Sequence, residues 1–406
     1  MERFKADQKN VAIYNSLVSK TRYQWDEYDM VLDYLKDTFD NYLKNIQLLD
    51  GYVQSQVLKN KDITFCLYAK IIETVAYYMR GKVHLAYDSM KEAFESVKGI
   101  LVSKSANRYT PSLEFGFKAR VVKQGESPPT SRNDMFHIPF EKRHLVQDNR
   151  YSIHGIPSIY LGCSIYDCYC ELGAPSLEDM WVSFFCFSQN DQDVLDSEHI
   201  KLVDLTYSHG GHKVELMLKS VQKDDAEYIS ELNKLVDDII LWPLIMSCSI
   251  VCRYPNASFK QEYIVPQMLY ELCSENNEFT GIRYYSTKLA NGDRNKLHSA
   301  MINYALPAQN IKRTGFCPEL SNQLILTEPV NIENCRGTEV HSNFGFTKNG
   351  FPIIGDKLGR TKVSDLISAM DQMTMYFDNL VTSSMHDRNF KALRPLNGWR
   401  EERGQV

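Results

Sequence analysis

The spacing of apolar residues changes once along this chain, near residue 110, and that change restricts the available folds more than any other feature. Before it, in EYDMVLDYLKDTFDNYLKNIQLL, the residues Tyr28, Val31, Leu35, Phe39, Tyr42, Ile46 and Leu49 recur every three or four positions. That recurrence marks one face of a long helix. A second such face runs from Ile63 to Arg80, Gly81 breaks it, and Val83, Tyr87, Met90, Phe94, Val97 and Leu101 form a third. Residues 1–107 therefore read as a helical bundle containing an antiparallel hairpin at Gly81. After LVSKSANRYTPS the period drops to two. In LEFGFKARVV, Phe115, Phe117, Ala119 and Val121 alternate with Glu114, Gly116, Lys118 and Arg120, which predicts a half-buried strand with Arg120 turned away from the core.

Beyond that strand, KQGESPPTSRND reads as loop and MFHIPF as a short extended piece. Further strands are expected at IPSIYLG, MWVSFFCF, IKLVDL, GIRYYST and NQLILT, with helices over 164–172, 223–250 and 262–273. Strands and helices do not alternate regularly, so an α+β arrangement is expected rather than a doubly wound sheet. The sequence lacks both the GxGxxG dinucleotide fingerprint and the GxxxxGK[ST] phosphate loop. The tail, 336–406, predicts a hairpin at Asn349-Gly350 followed by the amphipathic helix VSDLISAMDQMTMYFDNLV.

Composition narrows the functional classes. With 406 residues there is room for two or three domains, and 43% hydrophobic against 24% charged residues is ordinary for a globular chain. A net charge of -5 argues against non-specific nucleic-acid binding, which needs a basic field. The longest apolar run, IILWPLIMSCSIVC over 239–252, contains Pro243 and polar residues and is too short for a bilayer span, so it reads as a buried helix and no membrane partner is expected. MERFKADQKN has no apolar leader segment, and a cytoplasmic location follows as the expectation. The ten cysteines then read as reduced, mostly buried thiols. Cys163, Cys168 and Cys170 cluster without a second Cys or His pair at zinc-like spacing, and SHGGH (His209, His212) reads as a turn, so no metal is expected.

Candidate chemistry concentrates in NRYSIHGIPSIYLGCSIYDCYCEL, 149–172. Ser164 and Asp167 have the spacing of a capping box, which would start a helix directly after the strand and place Glu171 about two turns along it. Arg150 lies in the loop entering the strand, and Tyr160 lies within it. If the segment folds back, a guanidinium, a flat ring and a carboxylate would surround one cleft suited to an anionic ligand carrying a ring. A surface Arg–Glu pair beside a core tyrosine has the same spacing, and the residue types alone leave both readings open.

Taken with the later FTGIRYYSTKLANG, this stretch resembles the RES domain, named for its Arg, Glu and Ser. The matching positions are Arg150, Ser152, Gly155, Tyr160, Glu171 and Ser286, with Arg120 in FKARVV matching an earlier strand arginine. The likeness covers roughly residues 113–330 and is closer to the longer members of that family than to its compact toxins. It implies a division into a helical docking or regulatory domain (1–107), a RES domain with an ADP-ribosyltransferase-like mixed sheet (108–335), and a C-terminal hairpin and helix (336–406).

The resemblance further implies a bacterial toxin or effector that consumes NAD+ as substrate and needs no cofactor. It would cut the nicotinamide–ribose bond by hydrolysis or phosphorolysis. ADP-ribosyl transfer to a macromolecule, or an inactive binding module of the same fold, are the alternatives. Glu171, Arg150 and Ser286 would be catalytic: Glu171 at the ribose, Arg150 with Arg120 on the pyrophosphate, and Ser286 positioning the substrate. Tyr160 would pack on the nicotinamide or its ribose, with Ser152 and Gly155 completing the substrate-binding set. An antitoxin, sensor or regulator on the helical quarter is the partner this likeness suggests, and a homo-oligomer remains open. His137 and Arg143 read as solvated loop residues.

Overall fold

The computed structural model describes residues 2–20, 25–107, 115–187, 201–208, 225–276, 278–288 and 302–333. The expected hairpin at Asn349-Gly350, the final helix, and His209 with His212 lie outside the described residues. Helices α1 (Glu2–Lys20), α2 (Val31–Ile46), α3 (Gly51–Lys59), α4 (Lys61–Met79) and α5 (Val83–Asn107) come first. Then follow β1 (Phe115–Val121), β2 (Ser158–Gly162), α6 (Ile165–Glu171), β3 (Met180–Phe187) and β4 (Leu202–Asp204). Next are α7 (Asp225–Cys248), α8 (Ile264–Glu275), β5 (Gly281–Tyr285) and β6 (Ile302–Pro307). The last are α9 (Pro318–Gln323), β7 (Leu324–Leu326) and β8 (Val330–Asn331). An N-terminal helical region followed by strands and helices makes this an α+β chain, as the change of period predicts.

The backbone forms two compact units, each assembled from separated segments. The first comprises Met1–Thr110, Asp148–Ile153 and Lys201–Thr287, and the second Pro111–Gln147, His154–Ile200 and Lys288–Val406. Residues 201–287, grouped by sequence with the sheet domain, thus fold with the N-terminal helices.

In the first unit, α7 contains most of the apolar run IILWPLIMSCSIVC as a buried helix, with Ile239, Trp242, Leu244 and Ile245 all buried. A helix apolar on every side has no face to offer water, so it belongs in a core. Pro243 has no N–H to donate to the carbonyl four residues back, Ile239. The Tyr42 hydroxyl supplies that bond instead, at 2.8 Å. The Tyr42 ring stacks on Trp242 with centroids 4.9 Å apart, and Trp242 Nε1 donates to the Leu17 carbonyl at 3.0 Å. Helices α1 and α2 are thereby pinned to α7.

The helical hairpin forms where Gly81 predicts it. Gly81 has φ +73°, its N–H bonds to Tyr78 O at 2.9 Å, and Lys82 N–H bonds to Tyr77 O at 2.9 Å. These two bonds close a Schellman motif, which needs a left-handed residue at that point. Strands β4 and β5 run parallel, Leu202 opposite Gly281 and Asp204 opposite Arg283. A buried ion pair, Lys104 Nζ to Asp238 Oδ1 at 2.6 Å, joins α5 to α7. Asp238 Oδ2 also accepts from Tyr14 and from the Ser208 backbone and hydroxyl, so the buried charge is fully engaged.

In the second unit β6, β2, β1 and β3 form antiparallel neighbours in that order, with β7 and β8 both pairing with β3. The register opposes Phe117 to Gly162 and Phe184, and Gly162 to Asn303. Helix α6 packs directly on β2 at Gly162. A Cβ there would lie 3.0 Å from Cys168 Sγ and 3.1 Å from Asp167 Cβ, so the glycine permits the close approach.

Two expectations for this unit are corrected. MFHIPF is no strand: its first and last residues belong to 3-10 turns over Arg132–Met135 and Phe140–Leu145. Its apolar residues alternate, but Pro139 withholds a ladder donor. His137 is no solvated loop residue either; it is buried among the rings of Phe136, Phe140 and Phe316.

Candidate functional site

Ser164 and Asp167 form the expected capping box at the start of α6: Asp167 N–H donates to Ser164 Oγ at 3.0 Å, and Ser164 N–H donates back to Asp167 Oδ2 at 3.1 Å. The box fixes the direction of a seven-residue helix whose last residue is Glu171. The Glu171 side chain is 29% exposed. Its Oε1 accepts a hydrogen bond from Asn303 Nδ2 at 2.6 Å, and Lys288 Nζ lies 3.7 Å from its Oε2. Lys288 Nζ also donates to the Glu171 backbone carbonyl at 2.7 Å. Amide and ammonium together hold the carboxylate at the end of its helix.

Directly opposed residues of an antiparallel pair project from the same face of the sheet. Asn303 opposes Gly162 and Ala305 opposes Tyr160, so Asn303 and Tyr160 share the face on which α6 packs. Ile159 and Leu161 point to the other face and are buried. Tyr160 is half-buried rather than sealed in a core. The second unit therefore places Tyr160, Asn303 and the carboxylate of Glu171 on one side of β2 and β6.

Asp167 lies one helical turn before Glu171 and is buried. Burial pushes its carboxyl up to about 7, with the Glu171 charge adding to the rise and the donors Cys163 and Ser164 opposing it. Cys163 Sγ donates to Asp167 Oδ2 at 2.9 Å, and Cys168 Sγ donates to the Phe117 carbonyl at 3.1 Å. Cys163 and Cys168 are thus engaged with a carboxylate and a backbone oxygen. Among the described residues, no three His, Cys, Asp or Glu converge as a metal site would require.

Arg120 takes the opposite face from Phe117, as alternation in β1 predicts, and lies 3.9 Å from Glu126 with 40% of its side chain exposed. By register that is also the face opposite Tyr160 and Asn303. The neighbouring Lys118 donates to the Phe136 carbonyl, and burial, followed by the Arg120 charge, pushes its ammonium down to about 8. Gly155, at φ +71°, accepts at its carbonyl from Arg143 Nε at 2.9 Å. A left-handed conformation at that bend is one a glycine adopts without strain.

The remaining predicted residues belong to the first unit. Arg150 is buried, and its Nη1 and Nη2 donate to the carbonyls of Cys248 (3.3 Å) and Ile250 (2.8 Å). Cys248 ends α7, so the cation satisfies carbonyls that the helix leaves open and faces the negative end of its dipole. Nη2 also donates to Thr287 Oγ1 at 3.0 Å, and the guanidinium carbon lies 4.9 Å from the Tyr263 ring centroid. Thr287 follows Ser286, itself fully buried, so Arg150 and the Ser286 segment are brought together. Ser152 is buried too; its Oγ accepts from Asn149 N–H at 2.9 Å and bonds Asp148 Oδ1 at 3.1 Å, which locks the loop carrying Arg150.

Sequence reasoning missed Asn303 and Lys288. The strand INYALP passed unremarked, although an asparagine inside a short apolar run was the available signal. Lys288 carries no local signal, because it lies just past the end of a strand.

Fold and site together define an α+β protein with a helix-borne carboxylate held by an amide and an ammonium, and a buried arginine closing a helix end. Compared with known proteins, the chain matches no family model. Over 306 residues it is 29% identical to "Putative toxin YopC" of Bacillus subtilis (strain 168), an alignment covering 74% of this chain and 65% of that protein's length. No solved structure matches the chain. No described helix is long and apolar enough to cross a membrane.

Proposed function

We propose that this chain is a toxin of the RES type that destroys NAD+ by cleaving its nicotinamide–ribose bond. The observation that carries the reading is the carboxylate of Glu171, partly exposed and held by Asn303 and Lys288, on the sheet face that also bears the half-buried Tyr160. The ordered set Arg150, Ser152, Gly155, Tyr160, Glu171 and Ser286, together with similarity to a protein named as a toxin, supports it.

The chemistry asked of Glu171 is electrostatic. As the C1′–N bond breaks, nicotinamide leaves with the bonding electron pair and the ribose develops oxocarbenium character. A fixed carboxylate stabilises that charge, as in glycoside cleavage. In hydrolysis a water oxygen bonds to C1′ and releases a proton; in phosphorolysis a phosphate oxygen forms the bond. Tyr160 would pack against the nicotinamide or ribose. The resemblance assigns the pyrophosphate to Arg150, whose guanidinium is directed at Cys248, Ile250 and Thr287 within the first unit. It likewise assigns substrate positioning to Ser286, the neighbour of the Thr287 that Arg150 holds.

The direct test is nicotinamide release from NAD+ by the purified chain, with Glu171→Gln as control. Release by the wild type and a loss of at least about 100-fold in the variant are expected, the scale of removing one electrostatic contact at a transition state. Equal rates in both proteins would remove Glu171 from the reaction, and no release by either would end the reading.

A further inference from the structure

We infer that Asn303 is a two-sided residue: its amide nitrogen orients Glu171, while its amide oxygen accepts a hydrogen bond from a hydroxyl of the substrate's reacting ribose. The inference deepens the proposed function and rests on it. Asn303 is 3% exposed, and its Nδ2 donates to Glu171 Oε1 at 2.6 Å. That contact fixes which way the amide points, because a carboxylate has only acceptors and Oδ1 cannot face it. Oδ1 is consequently directed elsewhere, and it is a buried atom with no hydrogen-bond partner among the described residues.

An acceptor left unpaired in a protein interior is destabilising by roughly 1–3 kcal/mol, and such atoms in folded chains call for an explanation. A ligand that supplies the donor explains this one. The donor has to reach an atom one amide group away from the Glu171 carboxylate, on the face shared with Tyr160. In an NAD+-cleaving reaction, the group that approaches Glu171 is the ribose whose C1′ loses nicotinamide, and that sugar presents hydroxyls. A purely apolar partner would leave Oδ1 unsatisfied, and the pyrophosphate of NAD+, a diester ionised at neutral pH, has no hydrogen to donate. Asn303 would therefore discriminate in favour of a hydroxyl-bearing sugar beside the carboxylate that acts on it.

The test compares wild type, Asn303→Ala and Asn303→Asp by calorimetry with ADP-ribose and with AMP, and by nicotinamide release from NAD+. ADP-ribose keeps the distal ribose; AMP lacks it. The expected result is about a tenfold loss of ADP-ribose affinity in Asn303→Ala, the scale of one neutral hydrogen bond, with AMP affinity unchanged. Asn303→Asp keeps an acceptor for the ribose but sets a second carboxylate against Glu171. It should therefore hold ADP-ribose better than Asn303→Ala, yet lose turnover with little change in KM. Equal losses for AMP and ADP-ribose in Asn303→Ala would show a general structural defect and overturn the inference. Unchanged affinity and turnover in both variants, with NAD+ still cleaved by the wild type, would overturn it while leaving the proposed function standing. Absence of both cleavage and ADP-ribose binding in the wild type would remove both.

Discussion

Arg150 and Thr287 share a hydrogen bond of 3.0 Å, and Thr287 is the residue after Ser286. A loop arginine and a strand-end serine, separated by more than a hundred residues in the chain, are thereby tied to the same end of α7. The guanidinium has a mechanical task beyond any substrate contact, since two of its acceptors are the carbonyls of Cys248 and Ile250. Arg150→Ala should therefore lower stability by about 2–4 kcal/mol, because buried acceptors lose a charged donor. Arg150→Lys should recover only part of it, as an ammonium cannot reproduce the planar fork. Urea denaturation checks this; a midpoint unchanged in Arg150→Ala would show that the contacts contribute nothing.

Tyr42 and Pro243 should be energetically coupled. Tyr42→Phe leaves the Ile239 carbonyl buried without a donor, a loss of about 1–2 kcal/mol. Pro243→Ala restores a backbone N–H to that carbonyl, so Tyr42→Phe should be milder in the Pro243→Ala background. Additive effects in the double-mutant cycle would refute the coupling.

Asp167 should make stability fall as pH rises. Its carboxyl titrates near about 7 in the folded chain against an ordinary 3.8, so the folded state keeps a proton that the unfolded state has released. The stabilising contribution is complete below the unfolded value and is lost as pH climbs through the folded one. Asp167→Asn cannot ionise and still offers an acceptor to Ser164. Relative to wild type it should gain on the order of 1–3 kcal/mol between about pH 4 and about pH 7. Parallel pH profiles of the two proteins by thermal denaturation would contradict the assignment.

His137 should act with the opposite sign. Burial pushes its imidazole down to about 4; Nδ1 bonds to the Ile138 carbonyl and Nε2 accepts from Cys317 N–H at 2.8 Å. The acceptor role requires a neutral ring. The unfolded chain takes up a proton near 6.5 and the folded chain does not, so stability contributed above 6.5 is lost as pH falls toward 4. His137→Gln should flatten that acid limb, whatever its own baseline stability. An acid limb of undiminished slope in the variant would rule out His137 as its source.

Much of the architecture was legible in the residues because it follows from local rules. The heptad-like faces of α2, α4 and α5, the stop at Gly81, the Ser164–Asp167 box and the strand alternation in β1 each depend on neighbours within a few positions. The misses share a cause. MFHIPF has strand-like alternation, but its His137 and Phe140 are drawn into a cluster with Phe316, a partner far away in sequence. In the strand bearing Asn303 the asparagine inside a short apolar run is the one local signal, and it does not show that Glu171 is its partner. The candidate carboxylate was legible, and the two residues that hold it were not.

By itself the sequence determined the long helices, the stop at Gly81 and the strand β1, and it marked Glu171 as the carboxylate at the end of α6. Periodicity and capping are short-range, so a single chain displays them openly. Only the tertiary structure decided that residues 201–287 join the N-terminal helices, that Arg150 closes the end of α7, and that Asn303 and Lys288 grip Glu171. Each of those depends on long-range pairing across a sheet or a helix end, where burial of polar groups selects the partner and linear spacing does not.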